Sequence, residues 1–384
     1  MNNFVMAKLK WVCKLMKSLY GLKQSGRMWN LVLHNFLTEK GFIQSPHDPC
    51  TYMYNENHNI AIVIVWVDDM VIAGNSEACV EKVKGYLKKK FRMTDLGPIS
   101  CFLGIRFKQE GGVITMDQTE YLKTKIVKFR MDSSRPRSTP CELGGYYEGE
   151  NSEPNENISL FREMVGSLIY AMTCTRPDLS FVVSKLSQHV SKPTNADFVM
   201  LKHVFRYILG TLDCKLIFKK SQNGLLLSGY CDSDWGSSPD RRSMSGYCFA
   251  LNPEGPAISW KTKKQETIAL STCEAEYMSG CLASQEAIYL SNLFRDMNIC
   301  SRRTVSVPVL INIDNQGAMD LARNPVNHKR SKHISIKFHF IREKVANNDI
   351  ELSYIPSGDN VSDMMTKPVP KVKLIKFRQY LFGY

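Results

Sequence analysis

Short apolar runs that stop at acidic residues recur along this chain. The run from Leu225 to Trp235 (Leu-Leu-Leu-Ser-Gly-Tyr-Cys-Asp-Ser-Asp-Trp) reads as a buried strand that ends on Asp232 and Asp234. Ile60 to Gly74 is two β-branched runs with Asp68 and Asp69 between them, which predicts a hairpin with a charged tip. Val67 and Met70 flank those acids directly. Burying two adjacent carboxylates is costly unless a cation neutralises them, so the tip is a candidate cation site. Trp29 to Gly41 has Trp29, Val32, Leu33, Phe36 and Leu37 on one helical face. Val80 to Phe91 predicts a helix carrying Lys82, Lys84, Lys88, Lys89 and Lys90. Asp117 to Met131 predicts another, with Tyr121, Leu122, Ile126, Val127 and Phe129 apolar.

The pattern then changes. Residues 132–157 are rich in Ser, Pro, Gly and acids, which predicts a linker. Helical periodicity returns from Phe161, breaks at Thr175-Arg-Pro-Asp178, and resumes over Leu179 to Ser191 and Ala196 to Leu209. Pro177 suits the first position of a helix. From Ser221 the order is strands, then helix and strand in alternation. Leu225–Cys231, Ser245–Leu251 and Ala257–Lys261 predict three antiparallel strands. Thr272–Arg295 predicts a long helix capped by Ser271 or Thr272. Val307–Ile313 and Ile350–Ile355 predict two further strands. The sum is an α/β (α+β) chain with a mixed sheet.

Acids recur at comparable points of that last region: Glu276 on the long helix, Asp314 after an apolar strand, Asp363 opening a late helix. Such a set can gather around two hard cations, which prefer oxygen ligands. Two ions held about 4 Å apart can activate water and stabilise a leaving oxygen. Asp234 competes with Asp232, since alternate strand positions share a face. Glu274 competes with Glu276, and the two lie about 200° apart on a helix.

Composition adds a partner class. Lys and Arg number 50 against 37 Asp and Glu, a formal charge of +13. That excess points to a polyanion, nucleic acid first. The 12 cysteines show no Cys-x-x-Cys pair, which argues against a zinc site or a disulfide framework and for reduced thiols. The first residues carry no signal-peptide pattern, and no apolar run reaches the roughly 20 residues of a membrane span. Arg323 to Lys344 holds seven basic residues against one Glu, densest at Lys329, Arg330 and Lys332. Beside an acidic cleft these predict a phosphate track.

Several segments resemble copia-type LTR retrotransposon Pol polyproteins. Ser18-Leu-Tyr-Gly-Leu-Lys-Gln24, Trp66-Val-Asp-Asp-Met70 and Phe102-Leu-Gly-Ile105 resemble the reverse transcriptase palm, with Trp66 where the family usually has Tyr. The resemblance implies that Gly21, Lys23 and Gln24 line the nucleotide and template site and that Asp68 and Asp69 hold metal. Thr175-Arg-Pro-Asp178 and Arg206-Tyr-Ile-Leu-Gly-Thr211 resemble the connection, with packing roles. Ser245-Gly-Tyr247, Ser259-Trp-Lys261, Ser271-Thr-Cys-Glu-Ala-Glu-Tyr277, Asp314-Asn-Gln316, Lys332-His-Ile334 and Tyr354-Ile-Pro356 resemble the ribonuclease H domain. Carried over, the catalytic, metal-holding quartet is Asp232, Glu276, Asp314 and Asp363.

The resemblance divides the chain into a partial palm and helical thumb (1–131), the linker (132–157), a helical connection (158–220) and a ribonuclease H-like mixed five-stranded sheet with flanking helices (221–384). It implies Mg²⁺ or Mn²⁺ in a two-metal site, RNA–DNA hybrid as substrate, upstream Pol segments as partners, and a cytoplasmic retroelement particle with access to the nucleus. Met1 to Lys17 contains no acid, whereas the family's palm has an upstream catalytic aspartate. The expectation is therefore the C-terminal part of a longer polyprotein, cleaving hybrid RNA but unable to synthesise DNA alone. The alternative is a non-catalytic nucleic-acid-binding remnant of a decayed element. The loop Ser357-Gly-Asp-Asn360 lacks the His that many ribonucleases H place there.

Overall fold

A computed structural model describes residues 15–144, 152–220, 224–297, 308–324 and 336–384. The chain forms two compact units, Met1–Leu96 and Gly97–Tyr384.

In the first unit, β1 (Ile43–Gln44), β2 (Thr51–Glu56), β3 (Asn59–Trp66) and β4 (Asp69–Gly74) form an antiparallel sheet in that order. Helices α1 (Ser25–Glu39) and α2 (Glu77–Lys90) supply Leu33, Phe36, Leu37, Cys79, Val83 and Leu87 to one core with Tyr52, Tyr54, Ala61, Val63 and Val65. Alternate residues of β3 thus face inward, as strand geometry requires. Helix α1 starts at Ser25, earlier than periodicity suggested, where the Ser25 hydroxyl donates to the Leu19 carbonyl at 2.6 Å. Val32, expected on the apolar face, is exposed. The β3–β4 hairpin pairs Trp66 with Asp69, leaving Val67 and Asp68 as a two-residue turn. Val67 sits there at φ 54°, a conformation that β-branched residues rarely adopt.

The second unit begins with strands that the sequence pattern did not reveal: β5 (Cys101–Phe102), β6 (Ile105–Glu110) and β7 (Val113–Asp117). They pair in order and are completed by the distant β8 (Leu216–Lys219), which lies against β7. Helix α3 (Thr119–Lys128) is shorter than expected, and Val127 is exposed rather than packed. Helices α4 (Ile158–Cys174), α5 (Ser180–Ser187) and α6 (Asn195–Leu209) follow. Thr194 caps α6 in a reciprocal box with Asp197. The described part of the expected linker is packed: Cys141 is buried, Arg137 N–H donates to the Arg206 carbonyl at 3.1 Å, and His203 Nε2 lies 2.9 Å from the Thr139 carbonyl.

The expected mixed five-stranded sheet is present. Strands β9 (Ser228–Asp234), β10 (Met244–Ala250), β11 (Ala257–Lys264), β12 (Val309–Ile313) and β13 (Ile350–Tyr354) lie in the order β11-β10-β9-β12-β13. The first three are antiparallel, and β12 runs parallel to β9 and β13. Helices α7 (Thr272–Asp296), α8 (Gln316–Arg323) and α9 (Phe340–Ala346) pack with Cys231, Tyr247, Phe249 and Ile311 in one core. Short α10 (Asp363–Thr366) and α11 (Lys371–Phe382) follow β13. A second core joins Met244, Cys248, Met365, Phe377 and Phe382 to Leu122, Leu168, Val182 and Phe205. This core runs through the expected boundaries at 157 and 220, because the sheet needs cover on both faces. Among the described residues no helix is long and apolar enough to cross a membrane.

Candidate metal centre

Three carboxylates from separate elements meet beside the central strand. Asp232 lies on β9, Glu276 in the first turns of α7, and Asp314 follows β12. One oxygen from each lies within 4.8 Å of the others. Strand β9 is central and parallel to β12, so their ends fall side by side, and α7 packs against both.

Local sequence sets each member. The apolar run through Leu227 carries β9 inward, and Asp232 is 1 % exposed. Its backbone carbonyl accepts from Ser279 Oγ at 2.6 Å. Ser271 caps α7 by accepting from Glu274 N–H at 3.2 Å. The two glutamates then diverge. Glu274 Oε2 accepts from the Leu270 N–H at 2.8 Å, holding the loop before the helix. Glu276 Oε1 accepts from the Ser233 N–H at 3.0 Å, which aims it at the strand. Asn315 caps α8 by accepting from Ala318 N–H at 2.9 Å, fixing the turn that carries Asp314. Asp234 shares the Asp232 side of β9 but stands outside the trio and is half-buried.

Asp363 is almost fully buried yet is not one of the three converging acids. Its Oδ1 lies 2.8 Å from the Lys367 ammonium, and its Oδ2 accepts from Lys373 Nζ. Lys367 Nζ also lies 3.5 Å from Asp232 Oδ2, which accepts from the Thr366 hydroxyl as well. Asn360 anchors the preceding loop, donating from Nδ2 to the Cys231 carbonyl at 2.9 Å and accepting from Ser362. Lys367, Lys373, Thr366 and Asn360 were not singled out by sequence. One signal was available: Asp363 and Lys367 stand four residues apart, a spacing that pairs charges on a helix.

Glycine permits the approach of α10. Gly246 stands opposite Asp232 in the sheet. A Cβ there would lie 2.4 Å from Met365 Cβ and 2.9 Å from Thr366 Cγ2. Gly246→Ala is therefore expected to cost about 1–3 kcal/mol by overpacking. Denaturant melts of the two proteins check this, and unchanged stability would contradict the close approach.

Electrostatics show what the trio lacks. Burial pushes the Asp232 carboxyl up to about 8, with Lys367 opposing the rise and Asp363 adding to it. Burial, then Asp232 and Asp314, raises Glu276 well above the usual carboxylate range. Among the described residues Glu276 Oε2 is buried without a hydrogen-bond partner. Three crowded acids and an unpartnered buried oxygen fit a hard divalent cation, which would neutralise the charge and ligate that oxygen. Asp232, Glu276 and Asp314 are the residues able to hold it.

The remaining candidates are placed as follows. Asp68 and Asp69 are exposed at the β3–β4 tip, so the burial argument made for them does not hold. Among the described residues no third acid, Cys or His joins them in a cluster. Trp29 Nε1 donates to the Val67 carbonyl at 2.5 Å and ties α1 to that turn. Gly21 (φ 91°), Lys23 and Gln24 are exposed in the turn before α1. Lys329, Arg330 and Lys332 lie outside the described residues.

The chain is similar to known proteins over nearly its whole length. Residues 4–143 match the family model for reverse transcriptase (RNA-dependent DNA polymerase). A retrovirus-related Pol polyprotein from transposon TNT 1-94 of Nicotiana tabacum is 35% identical over 96% of this chain and 28% of its own length. The chain thus spans little more than a quarter of that relative. An uncharacterised mitochondrial protein of Arabidopsis thaliana is 35% identical over 60% of this chain and 94% of its own length. The N-terminal RNase H domain of a Mycobacterium tuberculosis protein, solved as a maltose-binding-protein fusion, overlaps 41% of this chain and 98% of that one at 10% identity, with a TM-score of 0.26. With a reverse transcriptase segment at residues 4–143 and similarity to transposon Pol polyproteins over nearly its whole length, the chain belongs to the Pol polyprotein family of copia-type retrotransposons.

Proposed function

We propose that residues 221–384 hydrolyse the RNA strand of RNA–DNA hybrids in a reaction that needs Mg²⁺ or Mn²⁺. The observation that carries this reading is the meeting of Asp232, Glu276 and Asp314 with a buried, unpartnered Glu276 oxygen. Asp363 is the fourth member of the proposed quartet. When bound, such ions acidify water and stabilise charge on the 3′-oxygen leaving group. The protein's part is to hold the acids in register: the Ser233 N–H orients Glu276, and the Thr366 hydroxyl orients Asp232. Discrimination of RNA would rest on its 2′-hydroxyls. Lys329, Arg330 and Lys332 are proposed to track phosphates, each lost contact lowering the salt slope by about one.

In the first unit, Asp68 and Asp69 are proposed to hold metal for nucleotidyl transfer, with Gly21, Lys23 and Gln24 at the nucleotide and template. Their exposure leaves them open to ligand. We assign the polymerising role to this segment together with other Pol segments, in a cytoplasmic particle. The competing reading is a protein that binds nucleic acid without cleaving it. The ammonium groups of Lys367 and Lys373 on Asp363 favour it, since they occupy one acid of the quartet.

A substrate panel separates the readings. With Mg²⁺ the chain should cut labelled RNA in a hybrid and spare single-stranded RNA and duplex DNA. Binding without Mg²⁺-dependent cutting would favour the remnant.

A further inference from the structure

The acids of the centre are not equally free. Each Asp363 oxygen faces an ammonium, Lys367 on Oδ1 at 2.8 Å and Lys373 on Oδ2. Lys373 is held in turn by donating to the Ser357 carbonyl at 2.8 Å. Lys367 also reaches Asp232 Oδ2 at 3.5 Å, so one ammonium spans the two acids that would share a second divalent ion.

This position is built by the backbone. Helix α10 ends after one turn because Pro368 disfavours helical geometry at the residue before it. Lys367 accordingly adopts φ −150°, ψ 159°, while its N–H still bonds the Asp363 carbonyl at 3.0 Å. Its side chain is about one-third exposed and the carboxylates it joins are almost wholly buried. Among the described residues no cation is paired with Glu276 Oε2, whereas Asp363 Oδ1, which likewise accepts no hydrogen bond, has the Lys367 ammonium 2.8 Å away.

We propose that Lys367 is a built-in cation at the Asp232–Asp363 edge of the centre, so that the free protein takes one divalent ion at Asp232, Glu276 and Asp314 and excludes a second until Lys367 is displaced. A second dication between Asp232 and Asp363 would have to compete for oxygens that already face an ammonium, against like-charge repulsion. Lys367 is thus a positioning residue that sets metal stoichiometry. The inference rests on the metal-dependent reading proposed above and makes it more specific.

The test is equilibrium titration of the 384-residue chain with Mn²⁺ at neutral pH, without nucleic acid, following free Mn²⁺ by electron paramagnetic resonance; every protein compared, wild type included, carries Asp68→Asn and Asp69→Asn, so that ions at the hairpin tip are not counted. Wild type should bind one ion, Lys367→Met and Lys367→Gln two, and Lys367→Arg one. Asp314→Asn should lose the first ion, which assigns it to the trio. Circular dichroism melts establish that each variant is folded, and two neutral variants guard against one that is not. Two ions on wild type, or one on a folded neutral variant, would overturn the role of Lys367 alone. No ion on wild type would instead overturn the metal-dependent reading on which the inference rests.

Discussion

Asp314→Asn should lose Mg²⁺-dependent hybrid cleavage by more than about 100-fold, the upper end of what losing an outer partner of a metal ligand costs. Asp314 is one of three acids whose oxygens lie within 4.8 Å of one another. The amide keeps the volume and removes the charge, so ion affinity should fall while the turn into α8 survives. That turn is capped by Asn315, not by Asp314. The substitution also relieves crowding, because Asp314 contributes to the upward shift of both Asp232 and Glu276. The metal-free variant should therefore be at least as stable as wild type. Cleavage and a denaturant melt on the same preparation check both halves. Full cleavage would remove Asp314 from the proposed centre. Lost cleavage with a lost fold would make its role structural.

The second large effect lies away from the centre. Arg176→Met should destabilise the second unit by about 3–5 kcal/mol, as breaking a buried ion pair does. Arg176 and Asp178 are 1 % and 2 % exposed. The guanidinium grips the carboxylate with both edges, Nε to Oδ1 at 2.9 Å and Nη2 to Oδ2 at 2.8 Å, and also donates to the Thr211 carbonyl and hydroxyl. Tyr207 completes the set, donating to Asp178 Oδ2 at 2.7 Å. Removing the cation strands Asp178 in the interior. Replacing both partners, Arg176→Met with Asp178→Leu, should recover much of the loss, because no charge is left unpaired.

The pair also gives a pH dependence. Burial works against the Asp178 charge, yet Arg176 outweighs it and holds the carboxyl below its usual value. A depressed acid contributes stability above its unfolded pKa and loses it as pH falls through the folded one. Acid unfolding of wild type should include this loss, and the double variant should lack it. A single variant within about 1 kcal/mol of wild type would contradict the account of the pair, since ordinary surface changes cost less than that.

The strand-then-acid pattern made Asp232 and Asp314 legible, because a buried strand that ends in a carboxylate announces a cleft. The choice between Glu274 and Glu276 was open to helix geometry alone. It is made by a tertiary contact, the Ser233 N–H of β9 that holds Glu276, while Glu274 turns back to the Leu270 N–H. Lys367 was hidden for a related reason. Its spacing from Asp363 is local, but its reach to Asp232 depends on how α10 lies against Gly246 of β10.

Strands β6 and β7 escaped detection because charged and polar residues interrupt their alternation and much of their surface is exposed. The partner β8 that completes their sheet lies about a hundred residues further on, beyond any local signal. At the β3–β4 tip the sequence identified the hairpin but misjudged its environment. Val67 and Met70 suggested burial, whereas a two-residue turn places Val67, Asp68 and Asp69 at the surface. The expected linker shows the converse. Its composition is that of a loop, yet Cys141 is buried in the core that also holds α6.

The chemistry of the cut ends tests the central claim most directly. The purified chain is incubated with an RNA–DNA hybrid and Mg²⁺, and the termini of the RNA products are determined by mass spectrometry. Attack by a water on phosphorus with departure of the 3′-oxygen leaves 5′-phosphate and 3′-hydroxyl ends, an intact DNA strand, and no product when Mg²⁺ is chelated. Those ends are the predicted result. Ends bearing 2′,3′-cyclic phosphate, or cutting that persists under chelation, would contradict a metal-dependent reaction at Asp232, Glu276 and Asp314.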